Sequence, residues 1–251
     1  ALLLILIQVF RRRFWLKERG DYWRLAGLSL FGVVLNQLFF IGGLSLTTAS
    51  NTSLLAVMIP VFALAVGAIA GFEKLTLIKI AGIILAGIGV IILIDPRKAS
   101  FSSQTTIGDL CIVINCLAYG IYVATSKAAI TRNGTFRSMM WVFIFASLVC
   151  IPLGAYSLST IDIGAVETEI WLITIYIGIG ATAAPYLLNA WALSKVNPST
   201  VAVFVYLQPL IGFTLALLFL GERITAIFLI SSALIFAGVF LVTRKYVRAE
   251  T

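Results

Sequence analysis

The 251-residue sequence contains no histidine, so it lacks the commonest metal ligand and the usual proton carrier near neutral pH. Its three cysteines, Cys111, Cys116 and Cys150, fall singly inside apolar runs, which indicates neither a disulfide framework nor a metal site. Charge is also scarce, at 11% of residues, and no Asp or Glu occupies the centre of a complete long apolar run. Intramembrane acids are the usual proton relays. Asp109, near the end of its run, is the one acid of a complete run close to the interior. An intramembrane protease or a metal-dependent enzyme needs paired acids, a histidine cluster, or a nucleophile with its base. None is offered, so the chain is expected to be no enzyme, and to need no cofactor and no metal.

What the sequence has instead is apolar length. Hydrophobic residues make up 61% of it, and the mean hydropathy of +1.09 is far above that of soluble globular chains. Uncharged runs of about 18 to 23 residues are long enough to cross a hydrocarbon layer of roughly 30 Å as helices. Eight complete spans are predicted: Leu25 to Leu46, Asn51 to Gly71, Leu77 to Ile94, Ile107 to Ser126, Met139 to Tyr156, Trp171 to Leu193, Ser199 to Leu220 and Ala226 to Val242. The runs are continuous, whereas barrel strands alternate over about ten residues, so the predicted fold is an all-α membrane protein. Ala1 to Phe10 precedes Arg11, Arg12 and Arg13, the reverse of a signal peptide, and reads as the tail of a further span.

The stretch from Leu44 to Asp95 recurs without a gap 149 residues later, as Leu193 to Arg244. Pro60 answers Pro209, Phe72-Glu73-Lys74-Leu75-Thr76 answers Gly221-Glu222-Arg223-Ile224-Thr225, and Gly89-Val90 answers Gly238-Val239. This register points to an internal duplication. The spans from Ile107 and Met139 then require partners upstream of residue 1. The expectation is a protein of ten transmembrane helices, five per repeat, of which this chain carries eight complete spans and part of one. Residues 1–98 form the truncated first repeat and residues 99–251 the second.

An odd number of spans per repeat inverts one repeat against the other. If the loop from Arg11 to Arg24 is cytoplasmic, 15 of the 18 basic residues fall on the inside and only Arg97, Lys98 and Arg223 on the outside. This sorting explains the net charge of +8 better than nucleic-acid binding does, so the expected partners are lipid and a small-molecule substrate. It also places the C-terminus in the cytoplasm, and the compact build suits a bacterial inner membrane. Inverted repeats are the usual build of alternating-access carriers, with substrate near the midplane. The sequence leaves monomer and homodimer both open.

Polar faces mark the candidate binding surface. Asn115, Tyr119, Tyr122 and Ser126 lie four, three and four residues apart, on one helical face. In hydrocarbon such a stripe must face a cavity or a neighbouring helix. Tyr186 and Asn189, with Thr182, form a similar face beside Pro185. Gln208 directly precedes Pro209, two residues after Tyr206, and Asn36 and Gln37 sit mid-span. Amides offer donors and acceptors without a charge to desolvate, which suits polar or zwitterionic cargo. Pro60, Pro185 and Pro209 each remove a helical hydrogen bond and are expected as hinges, freeing the carbonyls of Ala56, Ala181 and Val205. Asn51, Thr52 and Ser53 are read as helix capping residues. Glu73 and Glu222, each followed by a basic residue and a threonine able to cap the next helix, are expected to hold tight turns. Gly67 with Gly71, Gly82 with Ala86, and Ala233 with Ala237 are read as small-residue seams.

Taken together, the doubled Glu-basic-x-Thr turns, the matched Gly-Val pairs, and Ile107-Gly108-Asp109-Leu110 leading to Ala118-Tyr119 resemble the EamA family of the drug/metabolite transporter superfamily. The resemblance implies a basket-like bundle of ten helices around a central cavity, exporting amino acids, other small metabolites or drugs. It also implies that Glu73, Glu222, Pro60 and Pro209 are structural or gating positions. The function expected is secondary transport, as an exporter of small polar metabolites, with Asn36, Asn115, Tyr119, Tyr122, Tyr186, Asn189, Tyr206 and Gln208 contacting substrate. The alternatives are efflux of aromatic drugs, which would call for a buried acid, and a channel.

Overall fold

A computed structural model of the chain describes residues 2–10, 14–94, 97, 105–159, 166–220 and 226–243. Every regular element among them is helical. In chain order these are α1 (Leu2–Phe10), α2 (Arg19–Leu46), α3 (Ala49–Leu55), α4 (Met58–Ile69), α5 (Leu77–Ile94), α6 (Thr106–Asn133), α7 (Thr135–Leu158), α8 (Thr168–Leu193), α9 (Pro198–Val203), α10 (Gln208–Leu220) and α11 (Ala226–Thr243).

Among the described residues six stretches are long and apolar enough to cross a membrane, and two of the expected spans are represented by shorter apolar helices, Leu77–Leu93 and Pro198–Ile211. Ile69, Leu77, Leu148, Leu218 and Phe240 are each well over half exposed, an arrangement stable only where lipid, not water, meets the surface.

The described residues form two compact units: Ala1–Leu35 with Thr125–Val196, and Asn36–Ala124 with Asn197–Thr251. Each takes residues from both sides of position 98.

The first unit is fastened around a buried acid. Asp21 is fully buried; Asn133 Nδ2 donates to its Oδ2 at 2.7 Å, and Arg24 and Arg132 lie 3.5 and 3.7 Å from its Oδ1. Arg132 also pairs with Glu18, and Lys17 N–H donates to Asn133 Oδ1 at 3.0 Å. Beside this network Trp141 packs edge-on against Phe14 and Tyr22 and donates through Nε1 to the Phe14 carbonyl at 3.0 Å. Aromatic rings with a polar edge suit a membrane boundary.

In the second unit the principal packing is α5 against α11, where small residues bring two backbones together. A Cβ added at Gly82 would stand 2.8 Å from the Gly238 carbonyl oxygen, and one added at Gly89 would stand 2.9 Å from that of Ser231. Ser231 lies 149 residues after Gly82, and Gly238 lies 149 after Gly89. The contact is therefore reciprocal, as in an interface about a twofold axis. The face of α11 that packs is Ser231, Ile235, Gly238 and Val242; Ala233 and Ala237, expected as a seam, are exposed on another side of the helix. Gly71 is likewise no seam. Its φ of +71° ends α4, with Gly71 N–H donating to the Ala68 carbonyl at 3.1 Å and Phe72 N–H to that of Gly67 at 2.8 Å. That is a left-handed glycine terminus, which satisfies carbonyls the helix leaves open.

Candidate functional site

The site begins with two interrupted helices. α3 ends at Leu55 and α4 starts at Met58, just before Pro60; α9 ends at Val203 and a 3₁₀ turn, Phe204–Leu207, leads into α10 just before Pro209. Proline was expected to leave the carbonyls of Ala56 and Val205 free. They are occupied: Ile59 N–H donates to Ala56 O at 3.1 Å, and Gln208 N–H donates to Val205 O. Each break tightens to a bond over three residues, which recovers the acceptor that proline abandons. Ile59 and Gln208 are themselves 149 residues apart, so both breaks use one device.

Tyr206 joins the breaks. Its hydroxyl donates to the Val57 carbonyl at 2.7 Å, and the residue is buried. Val57 and Tyr206 are again 149 apart. A position can touch its own counterpart only near the axis that relates the two copies.

Against this junction lies a cavity of about 300 Å³. Thr52, Ser53, Ala56 and Val57 line it from the first break, Val205, Tyr206, Gln208 and Pro209 from the second, with Phe40 and Val90 completing the wall. No charged side chain is among the described lining residues. The Thr52 hydroxyl is spent on the Thr48 carbonyl at 3.0 Å, and the Tyr206 hydroxyl on Val57. The exposed Gln208 side chain makes no hydrogen bond to a described residue. It is the one primary amide among the described lining residues.

The remaining candidates are distributed as follows. Asn115 is buried and donates through Nδ2 to the Asn36 carbonyl at 2.6 Å, tying α6 to α2. Tyr122 is fully buried, with its ring 5.9 Å from that of the half-buried Tyr119. None of these four lines the cavity. Tyr186 and Asn189 belong to the first unit, where Tyr186 donates to the Gly32 carbonyl at 2.6 Å and packs edge-on against Phe143. Pro185 follows a π-helical segment, Ile177–Ala183, and a second such segment, Leu30–Leu35, precedes Asn36, which is 149 residues before Pro185. π-helical turns are rare and concentrate at functional sites.

Glu73 is buried at the turn after α4. Its Oε2 accepts from Ser199 N–H at 3.1 Å, while its Oε1 accepts from Ser199 Oγ and pairs with Lys79. Thr76 Oγ1 accepts from Lys79 N–H at 3.4 Å at the start of α5. Glu222, Arg223 and Thr225 lie outside the described residues. The capping expected of Asn51 is performed by Thr48, whose Oγ1 accepts from Asn51 N–H at 3.1 Å; the Asn51 side chain instead donates to Asp109 at 2.9 Å.

Sequence reasoning missed Phe40 and Val57 as lining residues. The signal was present, since shifting Asn189 and Tyr206 by 149 residues lands on those two positions.

An apolar helical bundle with an uncharged cavity at paired helix breaks fits an integral membrane transporter. Comparison with known proteins agrees. The sequence model of the EamA-like transporter family matches residues 1–95 and 106–244, and the chain belongs to that family. An uncharacterized transporter of Archaeoglobus fulgidus is 27% identical over 96% of this chain and 83% of its own length. A probable terminal-alkyne amino-acid exporter of Streptantibioticus cattleyicolor is 24% identical over 87% of this chain and 70% of its own. A solved crystal structure at 18% identity covers 96% of this chain and 82% of that one, with a TM-score of 0.76, which establishes the shared fold.

Proposed function

We propose that this transporter exports small neutral or zwitterionic metabolites, amino acids among them, by alternating access, with Gln208 as the principal polar contact. The carrying observation is the uncharged cavity of about 300 Å³ beside Gln208, whose amide has no partner among the described residues. A volume of that order suits a small metabolite. An aromatic cation would leave its charge uncompensated against this wall, a cost of several kcal/mol in a low-dielectric site, roughly. The amino-acid exporter among the relatives is consistent with this cargo.

In this reading residues 1–98 and 99–251 act as inverted repeats that rock about the Val57–Tyr206 junction. Pro60 and Pro209 mark the hinges beside the cavity, and Pro185 a third in α8. Asn36, Asn115, Tyr119 and Tyr122, in the same unit as the cavity, are polar positions that meet substrate as the repeats move. The protein sits in the inner membrane of a bacterium with its C-terminus in the cytoplasm.

The test is release of a labelled panel of amino acids and related metabolites from cells expressing the protein. Gln208→Leu, which keeps the bulk and removes both hydrogen-bonding functions, is expected to abolish selective release without loss of membrane-inserted protein; Tyr119→Leu should do the same. Normal release by both variants would remove these residues from the site, and release confined to aromatic cations would turn the reading to drug efflux.

A further inference from the structure

We infer that the Glu73 carboxylate is a latch that closes the cavity toward one membrane face by holding the start of α9. This rests on the alternating-access reading but not on any choice of cargo. α9 has only six residues, Pro198–Val203, too few to hold a helical direction alone. Its course is set by its two ends. One end is the 3₁₀ turn at the cavity wall, and the other is Ser199, whose N–H and Oγ both donate to Glu73. Glu73 lies 126 residues away in sequence, two residues beyond the glycine that terminates α4. A single side chain thus ties the far end of one broken helix to the near end of the other, and the same carboxylate is fixed by Lys79.

The comparison within the chain sharpens the assignment. α3 corresponds to α9 by the 149-residue shift, and its start is also held by an acid from elsewhere. Thr47 Oγ1 and Asn51 Nδ2 donate to Asp109 Oδ1 at 2.5 and 2.9 Å, and Thr105 Oγ1 to Oδ2 at 3.1 Å. Asp109 has only neutral donors among the described residues, whereas Glu73 has an ammonium as well. Both carboxylates are charged acceptors, but Glu73 is itself pinned by the Lys79 ammonium of α5, so the point to which α9 is tied is the more firmly placed of the two. Opening the cavity toward the Glu73 face requires α9 to swing about the turn at Phe204–Leu207, which breaks the Ser199 bonds. Sequence alone gave Glu73 a turn-holding role; the contact to Ser199 is what makes it span the two breaks.

The experiment uses the protein in its natural full length, reconstituted in sealed vesicles of known orientation. Ser53→Cys places an isosteric thiol on the cavity wall, a charged, membrane-impermeant methanethiosulfonate is applied to one face at a time, and labelling at that position is read by peptide mass spectrometry. The face on which Glu73 lies is established separately by labelling Lys74→Cys, an exposed neighbour. Loss of charge-assisted hydrogen bonding should raise cavity labelling from the Glu73 face about tenfold in Glu73→Gln, and by less in Ser199→Ala, with no rise from the opposite face. Unchanged labelling from the Glu73 face in folded variants overturns the latch, as does an equal rise from both faces, which would mean general loosening. Should Glu73→Gln fail to fold, Ser199→Ala decides alone, because it keeps the ion pair. Failure of the cargo reading leaves this result untouched, since no substrate is used. Normal selective release with unchanged labelling removes the latch and spares the cargo.

Discussion

The reciprocal crossing of α5 and α11 offers the sharpest quantitative test. A Cβ at Gly238 would lie 2.5 Å from the Gly82 carbonyl oxygen and 2.6 Å from both the Cβ and the backbone nitrogen of Ala86. Ordinary contact begins at 3.4 Å, so Gly238→Ala lacks about 0.9 Å of room. The obstructing atoms are two backbone atoms and a Cβ fixed to the backbone, none of which a rotamer change can move. The helices must separate, and a gap of 0.5–1 Å forfeits roughly a quarter to a half of each dispersion contact along the seam. In a membrane no hydrophobic term draws the helices back, because lipid is as apolar as the partner. The expected loss is about 2–3 kcal/mol, in the upper range for overpacking. For a chain of this size that lowers the melting temperature by roughly 4–12 °C. The assay is thermal unfolding in mild detergent beside Gly42→Ala, whose added Cβ meets nothing within 4 Å and whose helical setting should make it neutral or slightly stabilising. If Gly238→Ala melts within 1 °C or so of Gly42→Ala, the reasoning fails, for the two differ only in the packing just described.

Three further outcomes follow from named contacts. Gly71→Ala forces a side chain into a backbone with φ of +71° and should cost about 1 kcal/mol by the same melt, although the position is exposed and touches nothing. Asp21→Asn removes the charge from a fully buried side chain that accepts from Asn133 and faces Arg24 and Arg132; Arg132 keeps Glu18, so a loss of about 1–2 kcal/mol is expected, and additivity with Asn133→Ala would contradict a shared network. Gln208→Leu should reduce release in cells while leaving the melting temperature unchanged, because its amide contributes no internal hydrogen bond among the described residues; a large fall in stability would show that it has a structural duty.

How much was legible beforehand differs from element to element. The buried face of α6 at Asn115 and Tyr122 could be placed because a polar stripe at a spacing of three and four survives in an apolar run only if it turns inward, and both residues are buried. Pro60 and Pro209 marked the breaks for an equally local reason, the missing N–H. What filled the vacated acceptors was not legible. The bonds from Ile59 and Gln208 depend on how tightly the chain winds before each proline, which neighbours decide.

The same division holds for the charged residues. Glu73 and Asp109 could be read as helix-end acids, since their place in the chain follows from hydropathy alone. That Glu73 meets Ser199 and Asp109 meets Asn51 are contacts over 126 and 58 residues, and no periodicity carries information across such separations. The sequence by itself determined the class of protein, the apolar segments and the 149-residue repeat, because the cost of burying charge and backbone in lipid acts on each segment separately. The tertiary structure alone decided which of the polar side chains have internal partners. Tyr206 spends its hydroxyl on Val57, Asn115 spends its amide on Asn36, and Gln208 finds no described partner. Whether a hydrogen-bonding group is spent or available is a property of its neighbours in space.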